Sequence, residues 1–128
     1  MCENKMYELE TSRVISCAHR LIGYQGECCN LHGHNYRITV VLRAEELDRI
    51  GIAFDFKKLK AATDTALEGY DHACLNDLED YRDVNPTSEN MARVLYRKLA
   101  ASINDGNVKV YAVKVAESDS SCATYFEP

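Results

Sequence analysis

Of the residues able to do chemistry, four fall within one short stretch, Cys28-Cys29-Asn30-Leu31-His32-Gly33-His34. Residues two apart on a strand project from the same face. His32 and His34 would then aim two imidazoles at one point, and Gly33 adds no side chain to crowd it. A thiol four residues ahead of His32 lies on the loop leading in and can reach whatever binds there. The chain has only four histidines, His19, His32, His34 and His72. Three of them fall at the ends of strands that would be sheet neighbours, which is how a three-histidine site is assembled from separated sequence. Neutral imidazoles suit zinc, and a catalytic zinc site keeps a fourth position open for substrate or water. The alternative is a satisfied strand-end histidine at position 19 beside an HxH pair that binds nothing.

Beside a metal and an imidazole, a thiol pKa falls from about 8.5, so the group can act as base or nucleophile near neutral pH. Only one of Cys28 and Cys29 need face the metal. Cys2, Cys17, Cys74 and Cys122 have no such companions and read as small packing residues. Asp71-His72, on a helix-exit loop, can work as a pair in which the carboxylate fixes the ring's tautomer and raises its basicity. Otherwise it is a helix C-terminal histidine stabilised by the dipole next to a solvated aspartate. Glu117 ends an apolar strand. It would be an unpaired buried acid unless it meets a donor-rich ligand, or else a strand-end carboxylate in water.

These residues need a scaffold, and 128 residues supply one domain, 1–128, with room for a real core. A formal net charge of −5 argues against nucleic acid or an anionic membrane as the main partner, because there is no basic excess to release counterions. Any anionic substrate must be met by a local basic pocket. The first residues carry no apolar leader and no later run approaches a membrane span of about 20 residues, so a cytoplasmic location is expected. The six cysteines then read as reduced thiols.

Residues 5–19 read as a strand, with Tyr7, Leu9, Ile15, Cys17 and His19 on one parity. Gly23 to Glu27 is a loop that delivers Cys28. The clearest alternation runs from His34 to Arg43: Tyr36, Ile38, Val40 and Leu42 face one way, and His32 and His34 extend that inward face at the strand's mouth. Asp55 caps a helix expected from about Phe56 to Gly69, with Leu59, Ala62, Ala66 and Leu67 at helical spacing. Residues 73–85 are polar and irregular. Asn85-Pro86-Thr87-Ser88-Glu89 starts a second helix with the apolar stripe Met91, Val94, Leu95, Leu99 and Ile103. Val108–Glu117 and Ser121–Phe126 form a closing hairpin. The order ββααββ predicts an α+β domain, an antiparallel sheet with helices on one face.

Taken together and in order, these pieces resemble the 6-pyruvoyl-tetrahydropterin synthase family, most closely its 6-carboxy-tetrahydropterin synthase branch. The resemblance covers nearly the whole chain: Ala18-His19-Arg20-Leu21, Cys28 to His34, Phe54-Asp55-Phe56, Leu59-Lys60, Asp71-His72, Leu75-Asn76, Pro86 to Asn90, and Glu117. It implies zinc ligands at His19, His32 and His34, and a proton-transfer group of Cys28, Asp71 and His72. It also implies a pterin anchor at Glu117 with Thr87 and Ser88 beside the ring. The CxxxHxH spacing from Cys28 matches the carboxy branch, whereas the pyruvoyl branch places its cysteine farther ahead; Cys29 also gives a CxxHxH pattern found in other subgroups. The fold implied is the tunnelling fold, whose subunits assemble around a shared β-barrel. Trimers there stack into hexamers with sites at subunit interfaces, so Asp71 and His72 would complete a neighbour's site.

The activity implied is conversion of 7,8-dihydroneopterin triphosphate to 6-carboxy-tetrahydropterin, acetaldehyde and triphosphate, within queuosine and deazapurine biosynthesis. Zinc would hold the substrate's side-chain oxygens while Cys28 and the Asp71/His72 pair move protons. Arg20 and Lys57 or Lys58 are candidate phosphate contacts. Rival readings are 6-pyruvoyl-tetrahydropterin synthesis on the same site, aldolase-like cleavage of dihydroneopterin, and a non-catalytic pterin- or metal-binding module.

Overall fold

A computed structural model describes residues 5–23 and 30–128. Two long strands, β1 (Tyr7–His19) and β2 (His32–Ala44), pair antiparallel without a break in register, from Tyr7 opposite Ala44 to His19 opposite His32. Helix α1 (Phe56–Ala66) and, after two 3-10 turns, helix α2 (Ser88–Ile103) follow. Strands β3 (Val108–Ser118) and β4 (Ser121–Tyr125) close the chain as a hairpin. The sheet order is β1-β2-β3-β4, all antiparallel. This is the α+β arrangement expected. Among the described residues, no helix is long and apolar enough to cross a membrane.

The period-2 pattern decides which face of the sheet is covered. Tyr36, Ile38, Val40 and Leu42 are fully buried, as are Val113 and Val115 on β3. They join Leu59 of α1 and Met91, Leu95 and Leu99 of α2 in one apolar cluster. At about 1.5–3 kcal/mol for each large apolar side chain buried, this cluster is what fixes the register of β2. A slip by one residue would turn His32 and His34 to the helix-free face. The far ends of the strands are opened by a shift in the β2–β3 register between Val41 and Leu42, and in the β3–β4 register between Ala116 and Ser118.

Two local expectations differ. Helix α1 stops at Ala66 rather than near Gly69; Leu67 is its C-cap, and Gly69 sits in the following turn at φ +81°, a conformation that favours glycine. The stretch 73–85 is not shapeless. It holds 3-10 turns at Leu75–Asp77 and Glu79–Tyr81, anchored by buried Leu75 and Tyr81. Short turns with one buried residue each carry no periodicity for a sequence pattern to display. Thr87 caps α2, its side chain accepting from the Asn90 amide, and Pro86 lies just outside the helix.

Candidate functional site

The ladder places His19 opposite His32 at the mouth of the β1–β2 pair, with His34 one pleat further in on the same face. The three imidazoles meet edge to face, with ring centroids 4.6 Å (19–32), 5.3 Å (19–34) and 4.9 Å (32–34) apart. One nitrogen from each lies within 4.8 Å of the others, a group able to hold a metal ion.

The second nitrogens show that this cluster suits a cation. His19 Nδ1 is 2.7 Å from the Pro86 carbonyl, and His32 Nδ1 is 2.7 Å from the Asn30 carbonyl. A carbonyl only accepts, so each Nδ1 carries the proton and each Nε2 presents a lone pair. Those two Nε2 atoms lie 3.0 Å apart. Two lone pairs at that distance repel unless a proton or a cation comes between them. His34 Nε2 is buried with no hydrogen-bond partner. The three nitrogens thus converge with only the Tyr36 hydroxyl, 3.2 Å from His19 Nε2, as a possible donor among the described residues, which fits a metal with nitrogen ligands. Burial holds His19 below the usual histidine pKa, and the two neighbouring imidazoles act in the same direction, against the Pro86 carbonyl. Its ring is therefore neutral and free to ligate.

The bracing of His19 comes largely from residues that sequence spacing left without a role. Tyr36, fully buried, sets its hydroxyl 3.2 Å from His19 Nε2. Asn76 accepts from the Arg20 amide and donates to the Arg20 carbonyl, and Asn85 does the same to Ile22. Each side-chain amide stands in for a strand partner where β1 has ended. A lone Asn in a sequence does not say which backbone it meets.

Glu117 lies on β3 at the register shift, sharing parity with the buried Val113 and Val115. Its Oε1 is 3.9 Å from His34 Nε2. With Ser88 and four further residues it lines a cavity of about 210 Å³. The Ser88 hydroxyl oxygen is buried there without a partner. Thr87 contributes differently, since its oxygen already caps α2. Its hydroxyl proton and one lone pair are left to offer.

Asp71 and His72 do not join the histidine cluster. The segment carrying them runs along the outer edge of β1: His72 donates its amide to Ser16, Ala18 donates to Ala73, and Asp71 Oδ1 accepts from the Ser16 amide at 2.8 Å. His72 Nδ1 lies 3.2 Å from Asp71 Oδ2. The Ser16 amide, supported by His72 against a small opposing desolvation, holds the Asp71 carboxyl below its usual value. His72 has a left-handed backbone at φ +60°, which costs a non-glycine residue on the order of 1 kcal/mol or more. Its side chain is 82% exposed. It opens onto a cavity lined by Ser16, Ala18 and Asn35 and also by Cys17 and His34. Within one chain, the pair is therefore not part of the three-imidazole group.

Cys28 and Cys29 lie outside the described residues, as does Cys2. Cys17 is a packing residue whose thiol burial, with the Asp71 charge adding, pushes up to about 12. Cys122 is exposed instead of packed. Lys57 does not approach the histidines. It lines a cavity with Tyr7 at the other end of β1, and Lys58 faces Asp55 and Asp105 there. Twelve strand steps at about 3.3 Å separate that end from His19, so neither lysine can serve the same chain's metal site. Arg20 stays beside it.

Known proteins place this constellation. Residues 8–128 match the family described as 6-pyruvoyl tetrahydropterin synthase. The chain belongs to that family. Among its relatives is the 6-carboxy-5,6,7,8-tetrahydropterin synthase of Synechocystis sp., 34% identical over 116 residues that span 87% of this chain and 86% of that protein. The 6-pyruvoyl tetrahydrobiopterin synthase of Dictyostelium discoideum is 27% identical over 129 residues, spanning 91% and 93%. The structure of the Caenorhabditis elegans 6-pyruvoyl tetrahydropterin synthase superposes over all of both chains with a TM-score of 0.86 at 30% identity. The family thus includes synthases of both names.

Proposed function

We propose that the protein is a 6-carboxy-5,6,7,8-tetrahydropterin synthase that binds zinc through His19, His32 and His34. It takes 7,8-dihydroneopterin triphosphate and water to 6-carboxy-tetrahydropterin, acetaldehyde and triphosphate. The observation that carries this reading is the convergence of three imidazole nitrogens beside a carboxylate and a cavity of ring size. Bound zinc would supply Lewis acidity toward the substrate's side-chain oxygens, making neighbouring protons more acidic. Glu117 accepts from the pterin's amino and ring NH groups and so aims the side chain toward the three histidines. Ser88 offers its free hydroxyl to the same ring, and Thr87 its remaining proton.

Proton movement falls to Cys28, Asp71 and His72. Asp71 spends one oxygen on the Ser16 amide and the other on His72 Nδ1, which leaves His72 Nε2 to take or give a proton. The pair is exposed at the outer edge of β1 and does not join its own chain's imidazole group, which supports a homo-oligomer in which it serves a neighbouring site. The carboxy branch is preferred on the CxxxHxH spacing from Cys28 to His34 and on the Synechocystis relative. A soluble cytoplasmic enzyme of deazapurine biosynthesis follows from that preference.

Product analysis decides between the branches. Incubation with 7,8-dihydroneopterin triphosphate should release acetaldehyde and triphosphate together with the carboxylated pterin. A pyruvoyl product without acetaldehyde would make the protein a 6-pyruvoyl synthase. In the same assay, Cys28→Ala should keep its zinc and lose about 10²–10⁴-fold in turnover, the range for a proton-transfer group. Full turnover in that variant would remove Cys28 from the mechanism, and a protein without turnover in any form would be a binding module.

A further inference from the structure

Asp71 and His72 project into solvent and have little packing of their own, with side-chain exposures of 55% and 82%. Their placement must come from what holds the segment on either side. On one side it is bonded to the edge of β1 through Ser16 and Ala18. On the other side stands Tyr70, 1% exposed and immediately before the pair. Its hydroxyl donates to Asp80 Oδ2 at 2.8 Å, and the Tyr81 hydroxyl lies 2.8 Å from it on the opposite side. Because Tyr70 gives its proton to the carboxylate, the Tyr81 hydroxyl must donate to Tyr70. Lys98 of α2 completes the chain. It forms an ion pair with Asp80, donates to the Ala66 carbonyl at the end of α1, and sits 5.3 Å from the centroid of the Tyr70 ring. Four side chains from α2, the second 3-10 turn and the α1 exit loop thus meet under the residue that precedes the pair.

A purely apolar contact could bury Tyr70 equally well. What the polar chain adds is direction: the ring can slide or rotate only by breaking a charge-assisted hydrogen bond inside the protein. Burial keeps the Tyr70 hydroxyl protonated and able to donate. His72, two residues on, has a left-handed backbone that a free loop would relax.

We propose that Tyr81, Tyr70, Asp80 and Lys98 form a strut that positions the Asp71/His72 pair for proton transfer. The four are positioning residues, because none of them touches the pair's reacting atoms. This inference rests on the reading of Asp71 and His72 as the proton-transfer pair.

Tyr70→Phe removes only the hydroxyl, and the test compares it in two backgrounds. In the otherwise natural protein it should lower kcat about five- to twentyfold and leave KM within about twofold, since misplacement of a catalytic group by a fraction of an ångström acts on the chemical step. Zinc content should not change. In a His72→Ala background the same substitution should cost nothing further, because the group it positions is gone. Amide exchange at His72 and Ala18, whose bonds tie the segment to β1, should quicken about tenfold or more while exchange in β2 stays as it was. Lys98→Met, at a partly exposed side chain, should move both readouts in the same direction by less, and it stands in if Tyr70→Phe folds poorly. An equal loss of kcat in both backgrounds, or unchanged exchange at His72, would overturn the strut. Full activity of His72→Ala alone would instead overturn the reading beneath it.

Discussion

His32→Ala is expected to yield a purified protein without its metal ion and with turnover lowered by about three orders of magnitude. A Lewis-acid metal contributes several kcal/mol to the chemical step, and each 1.4 kcal/mol is roughly tenfold in rate. His32 is the ligand to remove because it is held lightly. It is only part-buried, and its Nδ1 is held by the Asn30 carbonyl close by in the chain. Its loss therefore leaves the core untouched, and the melting temperature of the variant, compared with metal-stripped natural protein, should move by no more than a few degrees. His19→Ala would be harder to read. That ring is 1% exposed and wedged between Pro86 and Tyr36, so its removal opens a cavity as well as a coordination position. Metal analysis and a triphosphate-release assay on His32→Ala separate the outcomes. A protein that holds no metal yet turns over at the natural rate would end the metal hypothesis.

The histidine site was legible because its geometry follows from the strand period alone. Once Tyr36, Ile38, Val40 and Leu42 are seen to alternate, the face of His32 and His34 is settled, and a hairpin returns His19 beside them. The core stripes of β2 and α2 were legible for the same reason. The far wall of the site was not. The Pro86 carbonyl, the Asn76 and Asn85 brackets and the Ser88 hydroxyl reach it through backbone atoms or single polar side chains, and these leave no periodic trace. The 3-10 turns were missed on that account, and the end of α1 was placed three residues late because Leu67 continued the apolar spacing past the last helical bond. Lys57 and Lys58 lie at the far end of β1 from their own chain's histidines, a distance that no local pattern encodes. Asp71-His72 could be recognised as an acid–imidazole pair from its residues, but its place at the edge of β1 depends on the bonding to Ser16 and Ala18.

That edge position leads to the other large expected effect. If each site takes its imidazoles from one chain and its Asp71/His72 pair from the next, two inactive variants should rescue each other. His34→Ala lacks a ligand and His72→Ala lacks the proton-transfer imidazole, so either alone should fall to about 1% of natural turnover or less. Co-refolded in equal amounts, they distribute at random around a symmetric ring. A site then works when its histidine half comes from a His72→Ala chain and its pair comes from a His34→Ala neighbour. Each condition holds for one chain in two, so about a quarter of the sites, and about a quarter of natural turnover, should return for a ring with shared sites. A site contained within one chain predicts a different result, because every chain in the mixture carries one lesion and none can work. The two arrangements thus differ by more than tenfold in a single measurement. The exposure of His72 and its absence from its own chain's imidazole group are the reason to expect the quarter. Recovery no better than the average of the two variants would place each site within one chain.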